Sequence, residues 1–390
     1  MKIALVNLGR VNNSYGGTEK VFFDMANNLS RRGHCVSAIV HDSSKGDPPF
    51  PLAPSVRYMN YMAPPHKKLL GQIARLVLPL FFKKDKRKIE KIKLRYKTRA
   101  IPIKRALEET NPDIIVTFQP GTSFLLLDII KTSIPVVSML HFTPLFGSSP
   151  EDTLIKNTLK KCSCIQILEP DFIDILAQEL DHRANIVFIP NIVPQYKESA
   201  DYDSHLIINV ARVERVSKRQ LLIVKAFSLL KNKFPDWRVE IWGETTVDPS
   251  YTQEINNEIK KEKLESRVFL KGTTKNIPEK LKKASIFCFP SATEGMPLAM
   301  TEAMSMGLPV VGYKGCPSVN KLIRSGENGY LCGDTPQEIA EELDKLMANK
   351  SLREHLGTAS KIDMKKFSPN AIWDEWEKLL SSILDRASKN

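Results

Sequence analysis

The chain has little cysteine, and what it has is scattered. Six cysteines occur in 390 residues: Cys35, Cys162, Cys164, Cys288, Cys316 and Cys332. No pair has zinc-finger spacing, and several lie in apolar runs where cysteine acts as a small hydrophobe. This usage points to a reduced, cytosolic protein rather than a disulfide-stapled one. No run approaches the roughly 18 apolar residues of a membrane-spanning helix. The opening Met1-Lys2-Ile3-Ala4-Leu5-Val6 is too short for a secretory h-region and lacks a small-residue cleavage site. The sequence also has no G-x-G-x-x-G dinucleotide fingerprint and no repeat of solenoid period. No Asp-x-Asp is read beside a strand, and no metal is expected.

Charge of one sign is scarce outside one segment. The net charge is +13. Lys67 to Arg99 holds 13 Lys/Arg and 2 acids, leaving about +2 for everything else. Within it Leu69, Leu70, Ile73, Leu76, Val77 and Leu80 recur at helical spacing, and KKDKRKIEKIKLRYKTR follows. A cationic amphipathic helix pair suits an anionic membrane surface or phosphate groups on a substrate. Nucleic acid is not expected, because no aromatic stacking residues are interleaved with the cations.

A length of 390 residues exceeds what one hydrophobic core serves, so two domains are expected. Strand and helix patterns alternate through both halves, which implies parallel-sheet α/β domains. In the first half, an apolar run from Lys2 to Leu8 leads through a polar loop to Gly16-Gly17. Val21, Phe22, Met25, Ala26 and Leu29 then share one helical face. Paired glycines let the backbone approach a bulky ligand. The strand pattern Pro135–Leu140 ends on His141, and ligands in open α/β sheets bind beyond the carboxyl ends of strands. Pro190-Asn191-Ile192-Val193-Pro194 reads as a linker.

In the second half, the strand pattern His205–Ala211 ends on Arg212, and Lys218 precedes the helical run Leu221–Leu230. An arginine fork and a lysine point charge so placed can converge on one diphosphate. The stretch FPSATEGMPLAMTEAMSMGLPVVG, Phe289 to Gly312, reads as strand, loop, helix and strand. Its loop carries Glu294, Gly295, Met296 and Pro297, and its helix carries Leu298 and, in the second turn, Glu302. A helix N-terminus attracts phosphate through its unpaired N–H groups and positive dipole end. Pro297 is expected in the first helical turn, where its missing N–H costs nothing.

EGMPLAMTEAMSMGLPVV resembles the signature of the family-4 retaining glycosyltransferases, the glycosyl transferases of group 1. Its marks are glutamates eight positions apart, Gly-x-Pro, Glu-Ala-Met and Gly-x-Pro-Val-Val. The resemblance implies a GT-B fold: two Rossmann-like parallel-sheet domains facing a cleft, with the last helix crossing back onto the first domain. The expected boundaries are 1–193 for an acceptor-binding domain and 194–367 for a nucleotide-sugar-binding domain. The helix 368–384 and the tail 385–390 would return to the first, burying Trp373 and Trp376.

By the same resemblance, Arg212 and Lys218 would bind and stabilise the leaving diphosphate. Gly16, Gly17 and the loop Gly295, Met296, Pro297 and Leu298 would touch the donor. Glu294 would hold the donor sugar, Glu302 the ribose, and His141 would orient the sugar or acceptor. The family usually has glycines where Ala211 and Arg219 stand, so this loop is expected to sit differently. The implied reaction moves a hexose or N-acetylhexosamine from a UDP-sugar, without metal or cofactor, and retains the anomeric configuration. The acceptor would be a membrane-associated glycan, lipid-linked oligosaccharide or lipopolysaccharide, in bacterial surface polysaccharide synthesis. The enzyme would be cytoplasmic and peripherally bound to the inner membrane face through Lys67–Arg99. Two other readings are open: a nucleotide-sugar epimerase of the same architecture, and an inactive membrane-binding assembly subunit.

Overall fold

A computed structural model describes residues 1–9, 11–12, 16–42, 48–61, 84–141 and 146–389. The apolar stripe from Leu69 to Leu80 lies outside the described residues. The chain forms two compact units: Met1–Pro190 with Trp373–Asn390, and Asn191–Ile372.

The first unit is built on a seven-stranded sheet. Its strands are β1 Lys2–Asn7, β2 Cys35–Val40, β3 Arg57–Asn60, β4 Ile114–Thr117, β5 Val136–Leu140, β6 Cys164–Ile167 and β7 Ile186–Phe188. Their order is β3-β2-β1-β4-β5-β6-β7, and every pairing is parallel. β1 and β2 are buried at five of six positions on both faces, so they read as continuous apolar runs rather than alternating ones. The order reverses between β1 and β4, the switch point at which such sheets open a crevice for ligands.

Helices cover the sheet. Gly17–Arg31 buries Val21, Phe22, Phe23, Met25, Ala26 and Leu29. Lys84–Thr110 is a 27-residue helix with Pro102 in its interior, and it carries the described part of the basic segment. Pro120–Phe124 is α-helical, but the continuation Leu125–Ile130 is a π-helix, where sequence periodicity reads one uninterrupted α-helix. Pro150–Leu159 opens on a capping box between Ser149 and Asp152. The closing helix Pro369–Ala387 enters this unit at Trp373. Trp373 and Trp376 are each 3% exposed. Glu377 accepts from Arg32 and lies 2.7 Å from His34 Nε2, and Arg32 also reaches Asp374.

The second unit repeats the plan with six strands: β8 Leu206–Val210, β9 Arg238–Trp242, β10 Val268–Gly272, β11 Ile286–Phe289, β12 Val310–Tyr313 and β13 Gly329–Cys332. Their order is β10-β9-β8-β11-β12-β13, again all parallel. The switch point falls between β8 and β11, where Ile207 pairs with Ile286. Ile207, Val239, Ile286 and Val311 form the sheet side of a core completed by Phe227, Ile255 and Leu343 from the helices. Contrary to the sequence reading, an Asp-x-Asp does stand beside a strand: Asp201 to Asp203 lies at the amino end of β8, where Asp203 pairs with Lys350 and Asp201 Oδ1 accepts the Asp203 N–H. Among the described residues no helix is long and apolar enough to cross a membrane.

Candidate active site

Every expected site residue that is described lies at or just beyond the carboxyl edge of a sheet. In the second unit, Arg212 lies two residues past the end of β8, and Glu294 lies on the loop after β11. These strands flank the switch point.

The loops that follow β8 and β11 are tied together by short polar contacts. Lys218 Nζ donates to Glu294 Oε1 at 2.6 Å, with only 15% and 13% of the two side chains exposed. Ala292 N–H donates to the Ser217 carbonyl at 2.7 Å, and Ser318 Oγ donates to the Glu294 carbonyl at 3.3 Å. The lysine and the first glutamate of the signature are therefore one ion pair. Opposite charges held this close and largely out of water attract more strongly than at the surface.

Arg212 stands apart from that pair. Its side chain is 60% exposed and reaches Glu214 Oε2 at 3.5 Å. Its backbone is held by Gln220, which is fully buried and donates to the Arg212 carbonyl at 2.9 Å. Glu214 in turn accepts from the Ser217 N–H and hydroxyl, so its carboxyl sits below the usual range although burial opposes this. Gln220 and Glu214 shape the turn, yet neither carries a motif signal. Their signal is only that polar side chains sit inside a loop expected to face a ligand.

Arg219 occupies the position where the resembled family has glycine. Its φ is +53°, the left-handed region that glycine enters freely. A non-glycine residue in this region carries backbone strain. The side chain offsets part of it: Arg219 Nε donates to the Pro290 carbonyl at 2.8 Å, and the guanidinium lies 4.1 Å from the centre of the Tyr313 ring.

The helix after Glu294 runs from Leu298 to Ser305, with Pro297 as its N-cap. The expected placement of Pro297 inside the first turn is thus one position too early. The effect on the site is small, since the free N–H groups now start at Leu298. Met296 is 7% exposed, and its sulfur accepts the Asn191 N–H at 3.2 Å. Glu302, on the helix, is 7% exposed.

In the first unit, Gly16 caps the helix Gly17–Arg31 with extended backbone and no side-chain partner. A Cβ there would lie 2.3 Å from Glu19 Oε2. The loop before it is anchored by Asp42, which accepts the N–H groups of Val11 and Asn12, each at 2.6 Å. Asp42 is 1% exposed. Its charge adds to the burial that pushes the Tyr58 hydroxyl up to about 12, and that hydroxyl donates to Asn12 Oδ1 at 2.7 Å. Nothing in the sequence marks Asp42, which opens a proline-rich irregular stretch.

His141 directly follows β5 and stacks on Phe118, with ring centroids 5.7 Å apart and planes 11° apart. Its Nε2 is buried with no hydrogen-bond partner among the described residues. Burial pushes its pKa down to about 4, so the imidazole is neutral at pH 7. The unfolded chain takes up this proton near pH 6.5. Stability from the neutral ring is therefore complete above pH 6.5 and is lost as pH falls towards 4. Unfolding midpoints measured from pH 7.5 to 4.5 should fall further for the wild type than for His141→Gln. Parallel curves would contradict a buried neutral imidazole.

The family described as Glycosyl transferases group 1 matches residues 195–363, and Glycosyltransferase Family 4 matches residues 15–195. The chain belongs to this glycosyltransferase family and is an enzyme of the GT-B fold. It is 27% identical over 381 residues to an uncharacterized glycosyltransferase of Haemophilus influenzae, covering 96% of this chain and 98% of that protein. It is 21% identical over 302 residues to a Campylobacter jejuni alpha-1,4-N-acetyl-D-galactosaminyltransferase named for GalNAc-alpha-(1->4)-GalNAc-alpha-(1->3)-diNAcBac-PP-undecaprenol, covering 75% and 81%. A TarM variant of S. aureus, solved in complex with Fondaparinux, alpha-GlcNAc-glycerol and UDP, superposes with a TM-score of 0.77 at 15% identity over 97% of this chain and 99% of that one.

Proposed function

We propose that this glycosyltransferase moves a hexose or N-acetylhexosamine from a UDP-sugar to a membrane-associated glycan acceptor, with retention at the anomeric carbon. The observation that carries the reading is the Lys218–Glu294 pair at 2.6 Å, placed beside the β8–β11 switch point and ahead of a helix N-terminus. The physical difficulty of the reaction is the diphosphate, whose charge grows as the bond to the sugar breaks. In this reading Lys218, Arg212 and the N–H groups of Gly295, Met296 and Leu298 stabilise that charge, and such preorganised donors are usually the largest catalytic term. Glu294 holds Lys218 in place and takes sugar hydroxyls, while Glu302 takes the ribose. The side-chain cations supply the counter-charge, so the proposal includes no metal ion.

The bond between the anomeric carbon and the diphosphate oxygen breaks. The acceptor oxygen joins that carbon from the same face, and its proton passes to the departing phosphate. His141, neutral at pH 7, accepts or donates a hydrogen bond to the sugar or acceptor rather than supplying charge. The membrane-side acceptor and the inner-face location are supported by the concentration of positive charge between Lys67 and Arg99, and by the undecaprenol-linked substrate named for the Campylobacter jejuni relative.

Thermal shift with UDP, GDP, ADP and CMP tests the donor assignment. At 100 times its dissociation constant a ligand adds about 2.7 kcal/mol of stability. UDP alone should raise the midpoint, and Arg212→Ala should lose most of the gain. Equal shifts with all four nucleotides, or none, would remove the UDP-sugar assignment.

A further inference from the structure

The first unit contains a surface pocket of about 500 Å³ whose lining includes none of the expected site residues. It is bounded by the helix Lys84–Thr110, the π-helix Leu125–Ile130 and the helix Pro150–Leu159. Four lysines line it, Lys93, Lys97, Lys131 and Lys161, against the single carboxylate of Asp128. Two of those lysines come from the basic segment. The others come from positions that no local charge pattern connects to it.

The charges are not all neutralised within the protein. Asp128 is taken up by Lys161 and by the Thr158 hydroxyl, which donates at 2.6 Å. Lys93 pairs with Glu90 at 3.0 Å. Among the described residues Lys97 and Lys131 have no carboxylate partner. Lys131 is also held in an unusual backbone state. It caps the π-helix with φ 59° and ψ 48°, a left-handed conformation that is strained for a non-glycine residue. Strain of this kind, and π-helical turns, gather at functional positions. Here the result is a cation whose starting point is fixed.

The rest of the lining is Asn157 and the apolar Phe124, Ile129 and Leu154. A water occupies roughly 30 Å³ of liquid, so the pocket is far larger than an inorganic phosphate requires. Lysines around an apolar floor in this volume match an oxyanion attached to a hydrocarbon or similarly apolar body. We propose that this pocket binds an amphiphilic phosphate, with Lys97 and Lys131 on the oxyanion and Phe124, Ile129 and Leu154 under the apolar portion. The proposal rests on the reading of a phosphate-bearing acceptor at a membrane. Its lining includes none of the expected site residues, which makes it a docking site that holds the carrier phosphate rather than the reacting hydroxyl.

Isothermal titration with farnesyl phosphate, inorganic phosphate and farnesol tests this, using the full chain. Farnesyl phosphate should bind, and each half alone should bind far more weakly. The Lys97→Glu/Lys131→Glu variant should weaken farnesyl phosphate by at least about tenfold, since charge-assisted contacts are lost and replaced by repulsion. Lys378→Glu, an exposed lysine of the same unit, should leave it unchanged. If the double variant misfolds, Lys97→Gln with Lys131→Asn keeps the test, because asparagine tolerates the left-handed backbone. Cosedimentation with phosphatidylglycerol vesicles, lost in the double variant, would assign the phosphate to bulk lipid; binding of farnesyl phosphate without it would assign it to an acceptor carrier. Equal affinity for inorganic phosphate, or an unaltered double variant, would overturn the proposal. UDP binding is measured on the same samples. Its absence in wild type would count against the donor site and leave this pocket's result intact.

Discussion

Lys218→Ala should abolish sugar transfer and destabilise the second unit. The lysine and Glu294 are 15% and 13% exposed, so removing the cation strands a carboxylate that is largely cut off from water. Breaking a buried pair costs about 3–5 kcal/mol, and the residual exposure puts this one near the lower end. The rate should fall further than the stability, by about 10²–10³ in kcat, because a positive group aimed at the departing diphosphate is lost. The two effects can be separated. Lys218→Met with Glu294→Gln removes both charges, and replacing a whole pair by neutral groups is often close to neutral in stability. The double variant should therefore recover most of the unfolding free energy in denaturant titration and still be inactive. Full activity in Lys218→Ala would end the catalytic assignment. A double variant as unstable as the single one would show that the pair's charge is not what holds the loop.

The second large effect is expected at Gly243, the residue after β9. Its φ is +153°, and a Cβ built there would lie 1.9 Å from the Ala211 carbonyl oxygen and 2.9 Å from the Arg212 nitrogen. Both contacts are backbone, so no side chain can turn aside. The glycine is also part of a lattice at the strand ends: its N–H donates to the Gly272 carbonyl at 2.8 Å, the Ala211 N–H to Trp242 at 2.9 Å, and the Val213 N–H to Glu244 at 2.8 Å. Gly243→Ala must push the Ala211–Arg212 peptide away and break part of this lattice. Backbone strain of about 1–3 kcal/mol together with a lost hydrogen bond gives an expected loss of about 3 kcal/mol. In a domain of this size that is a fall of roughly 6–12 °C in midpoint. UDP binding should weaken even at temperatures where the variant is folded, since Arg212 is carried on the displaced peptide. A variant with wild-type stability and UDP affinity would mean the strand ends are far more pliable than their hydrogen bonds imply.

Legibility differed sharply between the two halves of the chain. In the second unit the signature from Phe289 to Gly312 fell on strand, loop, helix and strand as its pattern implies, with the helix start displaced by one residue at Pro297. Local causes govern such a segment: β11 is a run of four buried residues, and a proline opens the helix. The closing helix was legible too, because Trp373 and Trp376 stand on one face and need a partner surface. The π-helix Leu125–Ile130 was not legible. Its apolar spacing fits an α-helix, and only packing against neighbouring helices distinguishes the two.

The sequence by itself determined the alternation of strands and helices, the two cores, the family, and the order in which candidate site residues appear. Those follow from apolar periodicity and from glycine and proline punctuation, which act over a few residues. Tertiary structure alone decided the pairings between distant positions: Lys218 with Glu294, Asp42 with the loop before Gly16, Arg219 with Tyr313, and Lys97 and Lys131 beside one pocket. A lone charge in a sequence has no partner until the sheet order places another strand end beside it. That order is set by crossover connections and by burial of both sheet faces, which no local pattern encodes.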